Sequence, residues 1–161
     1  MKALSLTQPW ASLVAVGVKR VETRSWTTQY RGEIAIHAAK GFPKWAKETV
    51  WQEPFLQALR DAEIIRFNIF AGYAGEGEGS FPLGAVIATA ELVEVCSTND
   101  EIEDFLWKHG AVNEFEFGDY GLNRYAWALK NVQRLAEPIP AKGALGLWEW
   151  EAALVAAPNE V

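Results

Sequence analysis

Residues 4–26 of the chain read LSLTQPWASLVAVGVKRVETRSW, and this stretch decides how its N-terminal part folds. Thr7 can cap a helix that carries Pro9 in its first turn, where the missing N–H of proline is harmless. An apolar stripe follows, and Gly17 comes after it as a glycine commonly does at the C-terminal end of a helix. The pattern therefore predicts a short amphipathic helix that ends at Gly17.

Residues 19–26 alternate as a strand does, so that Glu22 and Arg24 project from the same face and can form an ion pair. The planar guanidinium of Arg24 also suits bidentate contact with a phosphate or a base edge. Two interpretations remain open, a structural salt bridge that fixes a site and direct contact with a ligand. The spacing does not decide which face of this strand borders the site.

Positive charge is concentrated near the N-terminus of a chain that is acidic as a whole. Residues 1–47 carry eight Lys or Arg against two acids, while the chain has a net charge of −6. A local cluster of this kind predicts a ligand that is anionic or rich in hydrogen-bond acceptors. A pI near 5.0 argues against broad, non-specific coating of nucleic acid.

The rest of the chain predicts one α+β domain over residues 1–153, with a small, mostly antiparallel β-barrel, peripheral helices and a frayed tail over 154–161. Strands are expected over 33–38, 85–95, 124–135 and 144–150. Helices are expected over 43–61, with a break at Pro54, and from a Thr98/Glu101 capping box to about His109. The glycine-rich segment Gly72 to Gly84 is interpreted as a mobile insertion or lid.

The composition narrows the possible chemistry and location. One cysteine and two histidines exclude an internal disulfide and give too few ligands for a structural zinc site, so we expect neither a metal nor another cofactor. Cys96 ends an apolar run and is interpreted as a buried structural thiol. With no signal peptide and no membrane span in the pattern, a cytoplasmic location is expected.

At Gly17-x-Lys19-x-x-Glu22-x-Arg24 the chain resembles the ASCH domain family, which shares the PUA-like barrel fold, and its match to the GxKxxExR signature is complete. The QPW-ASL helix before the signature and the PIPAKGALGLW segment near the end are also similar to this family. The resemblance implies a barrel with a cleft beside the first helix and a link to RNA or nucleosides. Some members of the family bind RNA, some are reported to cleave it, and some small members are amidohydrolases that act on N4-acylated cytidine.

The hydrolase branch is thought to use a lysine, a threonine and a glutamate. By this resemblance the candidate catalytic residues are Lys19, Glu22, which occupies the position of the threonine, and Glu91, the nearest candidate for the glutamate. Lys19 is expected in the cleft, where it would pair with phosphate or act as nucleophile or base. The alternative is a lysine that the dipole at the end of the first helix stabilises.

The candidate ligand-binding residues surround the signature in sequence. They are Trp10, Lys19, Arg20, Glu22, Arg24, Trp26, Tyr30, Arg31 and His37. An aromatic residue among them could stack on a base, although core packing explains the same residues equally well. His37 follows Ile36 on the strand face opposite the buried one, and is interpreted either as structural or as a general acid or base.

Three functions remain open at this point. The first is an RNA- or modified-nucleoside-binding domain with a basic cleft after the first helix. The second is a small metal-independent hydrolase that uses Lys19, either an amidohydrolase or a ribonuclease. The third is a protein-interaction module. Expected partners are single-stranded RNA or a modified nucleoside or nucleotide, with no membrane, and the oligomeric state is open.

Overall fold

The computed structural model of the chain describes residues 1–66, 78–79 and 81–151. Its main sheet consists of β1 (Lys2–Leu6), β2 (Val21–Arg24), β3 (Gly32–Ala38), β6 (Ala85–Ser97), β7 (Tyr125–Pro140) and β8 (Leu147–Glu149). A separate antiparallel pair consists of β4 (Ile65–Arg66) and β5 (Glu78–Gly79). The helices are α1 (Trp10–Ala15), α2 (Lys44–Thr49), α3 (Phe55–Asp61), α4 (Ile102–Lys108) and a 3₁₀ helix (Val112–Phe117).

The six strands form one curved half-barrel sheet in the order β2-β7-β6-β3-β1-β8. β1 pairs with β3 in parallel, and the other pairings of this sheet are antiparallel. Two long strands, β6 and β7, pair along most of their length with three register shifts that let them bend. The α+β class and the mostly antiparallel sheet with peripheral helices are confirmed.

The main core lies between α1 and the sheet, because α1 packs on β3, β6 and β7. Both faces of the central strand β3 are covered, so consecutive residues from Ile34 to Ala38 are buried. The largest fully buried apolar side chain is Trp127 of β7, which belongs to this core. The helix therefore packs on the middle of the sheet, and three residues separate its start from the end of β1.

The predicted end of α1 is confirmed, but its predicted cap is wrong. Gly17 follows the helix with φ of 78°, the left-handed conformation that glycine adopts without strain. At the other end no side chain caps the N-terminal residue Pro9. The buried side-chain amide of Gln8 supplies an acceptor to the first turn instead, since its Oε1 accepts from the backbone N–H of Ser12 at 3.1 Å.

The predicted break between two helices at Pro54 is confirmed by the boundaries of α2 and α3. The Thr98/Glu101 capping box is wrong, because α4 has no side-chain cap. Thr98 Oγ1 binds the backbone of Arg124 and Gly121 instead, tying the start of β7 to the end of β6. The helix nevertheless lies where the sequence predicts it.

Several expectations fall outside the part of the chain that the structure describes. The Gly72 to Gly84 segment lies largely there, and so does the 154–161 tail. Assignment of residues 1–153 to one domain stays a prediction. Among the helices of the described residues, none is long and apolar enough to cross a membrane. The same residues include no group of three or more His, Cys, Asp or Glu side chains placed to hold a metal ion.

Candidate functional site

A cavity of about 360 Å³ opens between the end of β1, the start of α1, strand β2 and the segment that follows the 3₁₀ helix. Its lining residues are Leu6, Thr7, Trp10, Glu22, Thr23, Arg24, Trp45, Glu116, Phe117, Gly118, Asp119 and Arg124. Three of the predicted site residues, Trp10, Glu22 and Arg24, therefore meet in one cavity. We call it the α1–β2 cavity.

One wall of the α1–β2 cavity is aromatic. The rings of Trp10 and Trp45 lie 5.7 Å apart between centroids at an interplanar angle of 46°. Trp10 is anchored, because its Nε1–H donates to the carbonyl oxygen of Phe117 at 2.8 Å. Trp45 is 58% exposed. A fixed indole beside a solvent-accessible one offers two flat apolar surfaces to a planar ligand.

The carboxylate of Glu22 lines the cavity, and each of its two oxygens lies near a positively charged side chain. Its Oε2 accepts from Lys19 Nζ at 2.7 Å, and its Oε1 lies 3.6 Å from Arg24. The predicted Glu22–Arg24 pair is therefore present. The guanidinium of Arg24 also lies over the ring of Trp26, 5.7 Å from its centroid.

Lys19 is buried behind Glu22 and does not line the cavity, whereas the sequence analysis predicts it in the cleft. It is 1% exposed, and its Nζ donates to the carbonyl oxygen of Val21 at 2.5 Å as well as to Glu22. A buried ammonium requires such partners because burial without them is costly. Lys19 therefore orients Glu22 from behind.

A second wall, which meets Trp10 through its bond to Phe117, comes from a distant part of the chain. Arg124 Nε donates to the carbonyl oxygen of Asp119 at 3.0 Å and lies 3.3 Å from its carboxylate. The backbone N–H of Asp119 donates to Thr23 Oγ1 at 3.0 Å, which joins this wall to β2. The lining thus holds two arginines and three acids, and the cavity has mixed charge where a basic cleft was expected.

The segment that carries this wall is packed too closely for any side chain at Gly118. A Cβ atom built there would lie 2.7 Å from the ring of Tyr120 and 3.2 Å from the methyl group of Thr23. Contacts under 3 Å are not tolerated between carbon atoms, so a substitution must displace the wall. Gly118 therefore lets residues 116–119 approach β2.

Glu114, which the sequence did not single out, fixes the start of β2 from below. It is buried, and its Oε2 accepts from the backbone N–H groups of Arg20 at 2.5 Å and Val21 at 3.2 Å. Burial raises the pKa of the Glu114 carboxyl despite these donors. Nearby, burial raises the pKa of Tyr120, with Glu114 and Glu22 adding to the effect.

Four other predicted ligand-binding residues lie away from the α1–β2 cavity. Arg20 turns toward α4, where its guanidinium donates to the carbonyl oxygen of Gly110 at 2.6 Å. Arg31 donates to backbone carbonyls of its own turn, and the hydroxyl of Tyr30 donates to the carbonyl oxygen of Glu33. Trp26 packs edge-on against Trp127 at 4.7 Å. Their contacts are those of packing and turn formation.

His37 and Glu91 lie elsewhere on the sheet. His37 is 2% exposed, so its predicted position opposite the buried face is wrong: β3 is covered on both faces. Its ring contacts Ser5 and the carbonyl oxygen of Ala141. Glu91 accepts from the side-chain amide of Asn131 at 2.8 Å and does not line the α1–β2 cavity. The catalytic roles of Lys19, Glu22 and Glu91 stay predictions.

Comparison with known proteins gives relatives with the same type of domain. The chain is 27% identical over 146 residues to mouse activating signal cointegrator 1 and 29% identical over 148 residues to the human protein. These matches cover 91% of this chain but 22% of each relative, so the chain spans about a fifth of their length. The similarity therefore concerns one region of a longer protein.

Among solved structures, the chain is similar to the crystal structure of ASCH from Zymomonas mobilis, at 16% identity and a TM-score of 0.45, covering 86% of this chain and 72% of that one. A point mutant of the same protein gives 17% identity and a TM-score of 0.45, covering 86% of this chain and 74% of that one. A family model described as the ASCH domain matches residues 4–139. This match covers most of the chain, including the helix, glycine and charged strand that form one side of the cavity, and the chain therefore belongs to the ASCH domain family.

Proposed function

We propose that this ASCH domain binds single-stranded RNA or a modified nucleoside, with one base held in the α1–β2 cavity. The observation that carries the proposal is the meeting of Trp10 and Trp45 with the Glu22–Arg24 pair in one cavity. Stacking on aromatic side chains is the usual way in which proteins hold an unpaired base. Cavities of this size hold small ligands, and a base inside a duplex would be out of reach.

The polar groups of the cavity match the edge of a base. The carboxylate of Glu22 can accept from an exocyclic amino group, while the guanidinium of Arg24 can donate to a carbonyl oxygen or a ring nitrogen. Because Lys19 holds Glu22 from behind at 2.7 Å, the carboxylate is oriented before a ligand arrives. Such a fixed set of donors and acceptors would favour one base over the others.

Arg124 supplies positive charge on the wall that it forms with Asp119. Its side chain is partly exposed, and its present partner, Asp119, is also exposed, so the pair is easily separated in water. Arg124 could therefore contact a phosphate next to the bound base. The acids in the lining limit the total electrostatic attraction, so stacking and base-edge contacts would supply much of the affinity.

A binding measurement with matched tryptophan variants tests the proposal. We would measure the affinity of a short fluorescein-labelled single-stranded RNA by anisotropy, with free nucleosides as competitors. Trp45→Ala should weaken binding about tenfold or more, because stacking on one base is worth roughly 1–3 kcal/mol. Trp107→Ala is the control, since Trp107 is 76% exposed and does not line the cavity. Equal affinity of both variants would refute the proposal.

The hydrolase remains the alternative, and the position of Lys19 bears on it directly. Its Nζ is buried and directed to Val21 and Glu22, so it does not reach the cavity wall. A hydrolase using Lys19 would require this pair to separate when substrate binds. Mass spectrometry of N4-acetylcytidine and of RNA incubated with the protein would reveal a product if it does.

A further inference from the structure

A second cavity, of about 930 Å³, lies on the other side of β1, around Ser5. Its walls are the end of β3, the start of β6 and the segment between β7 and β8. The lining residues are Ser5, His37, Ala39, Lys40, Leu83, Gly84, Pro140, Ala141, Lys142, Gly143, Ala144 and Leu145. We call it the β7–β8 cavity. None of the predicted site residues except His37 lies there.

Buried polar groups hold this cavity in shape. His37 Nε2 lies 3.1 Å from the carbonyl oxygen of Ala141, and its Nδ1 lies 3.0 Å from Ser5 Oγ. Because a carbonyl only accepts, Nε2 of the neutral ring carries the proton and Nδ1 accepts from the Ser5 hydroxyl, which also lies 3.4 Å from the carbonyl oxygen of Ala144. Trp148 Nε1–H in turn donates to Ser5 Oγ at 3.1 Å. Every ring nitrogen in this network has a partner, so the segment at Ala141 is fixed to the sheet.

The backbone after Ala141 lies directly on that network. A Cβ atom at Gly143 would come within 2.5 Å of the His37 ring and 2.8 Å of Ser5 Oγ, so only glycine fits. Within the described residues, the backbone N–H groups of Lys142, Gly143 and Ala144 donate to no acceptor. Unpaired N–H groups on a fixed segment are available to an anion.

The charge of the β7–β8 cavity is unusual for this protein. Among the described residues its lining has no acid, in a chain of net charge −6, and it has two lysines, Lys40 and Lys142. Neither lysine has an ion-pair partner among the described residues, whereas Lys2, Lys44 and Lys108 each pair with a glutamate. The two ammonium groups therefore remain available to a ligand.

The remaining lining is apolar and accessible. Two leucines of the lining are accessible to solvent, since Leu145 is 98% exposed and Leu83 is 43% exposed. The stem of Lys40 lies along Gly84, where a Cβ atom would be 3.7 Å from it. Apolar surface of this kind is stabilised when a ligand covers it.

We propose that the β7–β8 cavity is a second binding site, which takes a phosphate group attached to an apolar or planar body. Two ammonium groups and several backbone donors suit the multiple oxygens and high charge of a phosphate better than a single carboxylate. The leucines would contact the body that carries it. The phosphate could belong to a free nucleotide or to an RNA strand, and the site is independent of base binding in the α1–β2 cavity.

The test uses the full chain, two probes and two matched charge reversals. The probes are a 5′-mononucleotide and a short single-stranded RNA, and each titration is followed by nitrogen–proton correlation NMR. Lys142→Glu is compared with Lys130→Glu, which makes the same change at an exposed lysine of β7 outside this cavity. We expect amide shifts at residues 141–145 and a loss of affinity of about tenfold in Lys142→Glu, with less than about twofold in Lys130→Glu.

The probes distinguish the source of the phosphate. Binding of the mononucleotide at residues 141–145 would identify a nucleotide site, and binding of the RNA alone would identify a strand-binding site. Absence of shifts at 141–145 with both probes, or equal affinity of the two variants, would overturn the proposal. Trp45→Ala should leave these shifts unchanged, so failure of base binding in the α1–β2 cavity is distinguishable from failure here.

Discussion

Glu22 connects the protein interior with the surface of the α1–β2 cavity. Its carboxylate has the buried Lys19 at 2.7 Å on one oxygen and the partly exposed Arg24 at 3.6 Å on the other. Lys19 and Arg24 can therefore have different roles. Lys19 neutralises a charge that burial would otherwise penalise, and Arg24 remains accessible to a ligand.

The first prediction concerns that buried pair. Lys19→Met retains most of the side-chain volume but leaves Glu22 without its buried partner, and loss of one member of a buried pair costs about 3–5 kcal/mol. Urea denaturation should show this loss in the free energy of unfolding. Lys44→Met is the control, since the side chain of Lys44 is 91% exposed and pairs weakly with Glu48. Similar stability of the two variants would mean that Lys19 is not a structural partner of Glu22.

The second prediction concerns His37 and pH. Burial lowers the pKa of His37 below its ordinary value, although the bond to Ala141 opposes the shift. As the pH falls below about 6.5, the unfolded chain binds a proton that the folded protein does not, so the free energy of unfolding decreases until the lowered pKa is passed. His37→Gln lacks this titration. The stability difference between wild type and variant should therefore narrow from about pH 7.5 to about pH 5.5 in parallel urea titrations, and a constant difference would contradict this explanation.

At the scale of elements, the sequence predicted the helix boundaries, because single residues within the local sequence determine them. The α1 helix ends just before Gly17, where the backbone has positive φ, and α3 begins directly after Pro54, where the missing N–H of proline is harmless. β1 was not predicted, since it is defined by pairing with β3 and β8. The 3₁₀ helix was also missed, and its position depends on the bonds from Glu114 to β2.

The candidate site was predicted only on the side formed by α1 and β2, which carry Trp10, Glu22 and Arg24. Glu22 and Arg24 are two residues apart on a strand, so their pairing follows from strand geometry. Arg124 and Asp119 reach the same cavity from a part of the chain far from the signature, and no local pattern indicates such a contact. The burial of His37 was missed for a similar reason, because the segment that covers it follows β7.

The third prediction tests how the 3₁₀ helix is held. Glu114→Ala would leave the buried N–H groups of Arg20 and Val21 without an acceptor, at a cost of about 1–3 kcal/mol for each group. Glu114→Gln retains a carbonyl oxygen and removes the charge that burial disfavours, so we expect a change within about 1 kcal/mol. Thermal and urea unfolding of both variants would measure the difference. Equal destabilisation would show that the charge, and not the acceptor, is what matters.

At the scale of the whole molecule, the clustering of positive charge in the sequence does not become a uniformly basic surface. Folding brings acids from distant segments onto several cations of the first 47 residues: Lys2 pairs with Glu149, and Arg20 lies near Glu114. The α1–β2 cavity contains both signs of charge, whereas the charged residues that line the β7–β8 cavity, within the part of the chain that the structure describes, are lysines. The separation of basic and acidic residues along the sequence therefore does not describe the distribution of charge in the folded protein.

This distribution predicts a weak dependence of RNA binding on salt. If Arg124 contacts one phosphate beside the α1–β2 cavity while Arg24 contacts the base, the slope of log affinity against log salt should be roughly −0.7, the value for one phosphate contact with a single strand. Arg124→Gln should make the slope shallower by about one such contact. Anisotropy titrations over a range of potassium chloride concentrations would measure both. A much steeper slope would indicate that binding occurs over a broad basic surface.

The central claim, that one base stacks beside Trp10 and Trp45, is tested most directly through the indole N–H signals of the eight tryptophans. Single Trp→Phe variants assign the signals in nitrogen–proton correlation spectra, and a short single-stranded RNA is then titrated. If a base stacks there, the signals of Trp10 and Trp45 should shift with the same affinity that anisotropy reports, while that of the exposed Trp107 stays unchanged. Unchanged signals of Trp10 and Trp45 while RNA binds would show that the base does not stack in this cavity.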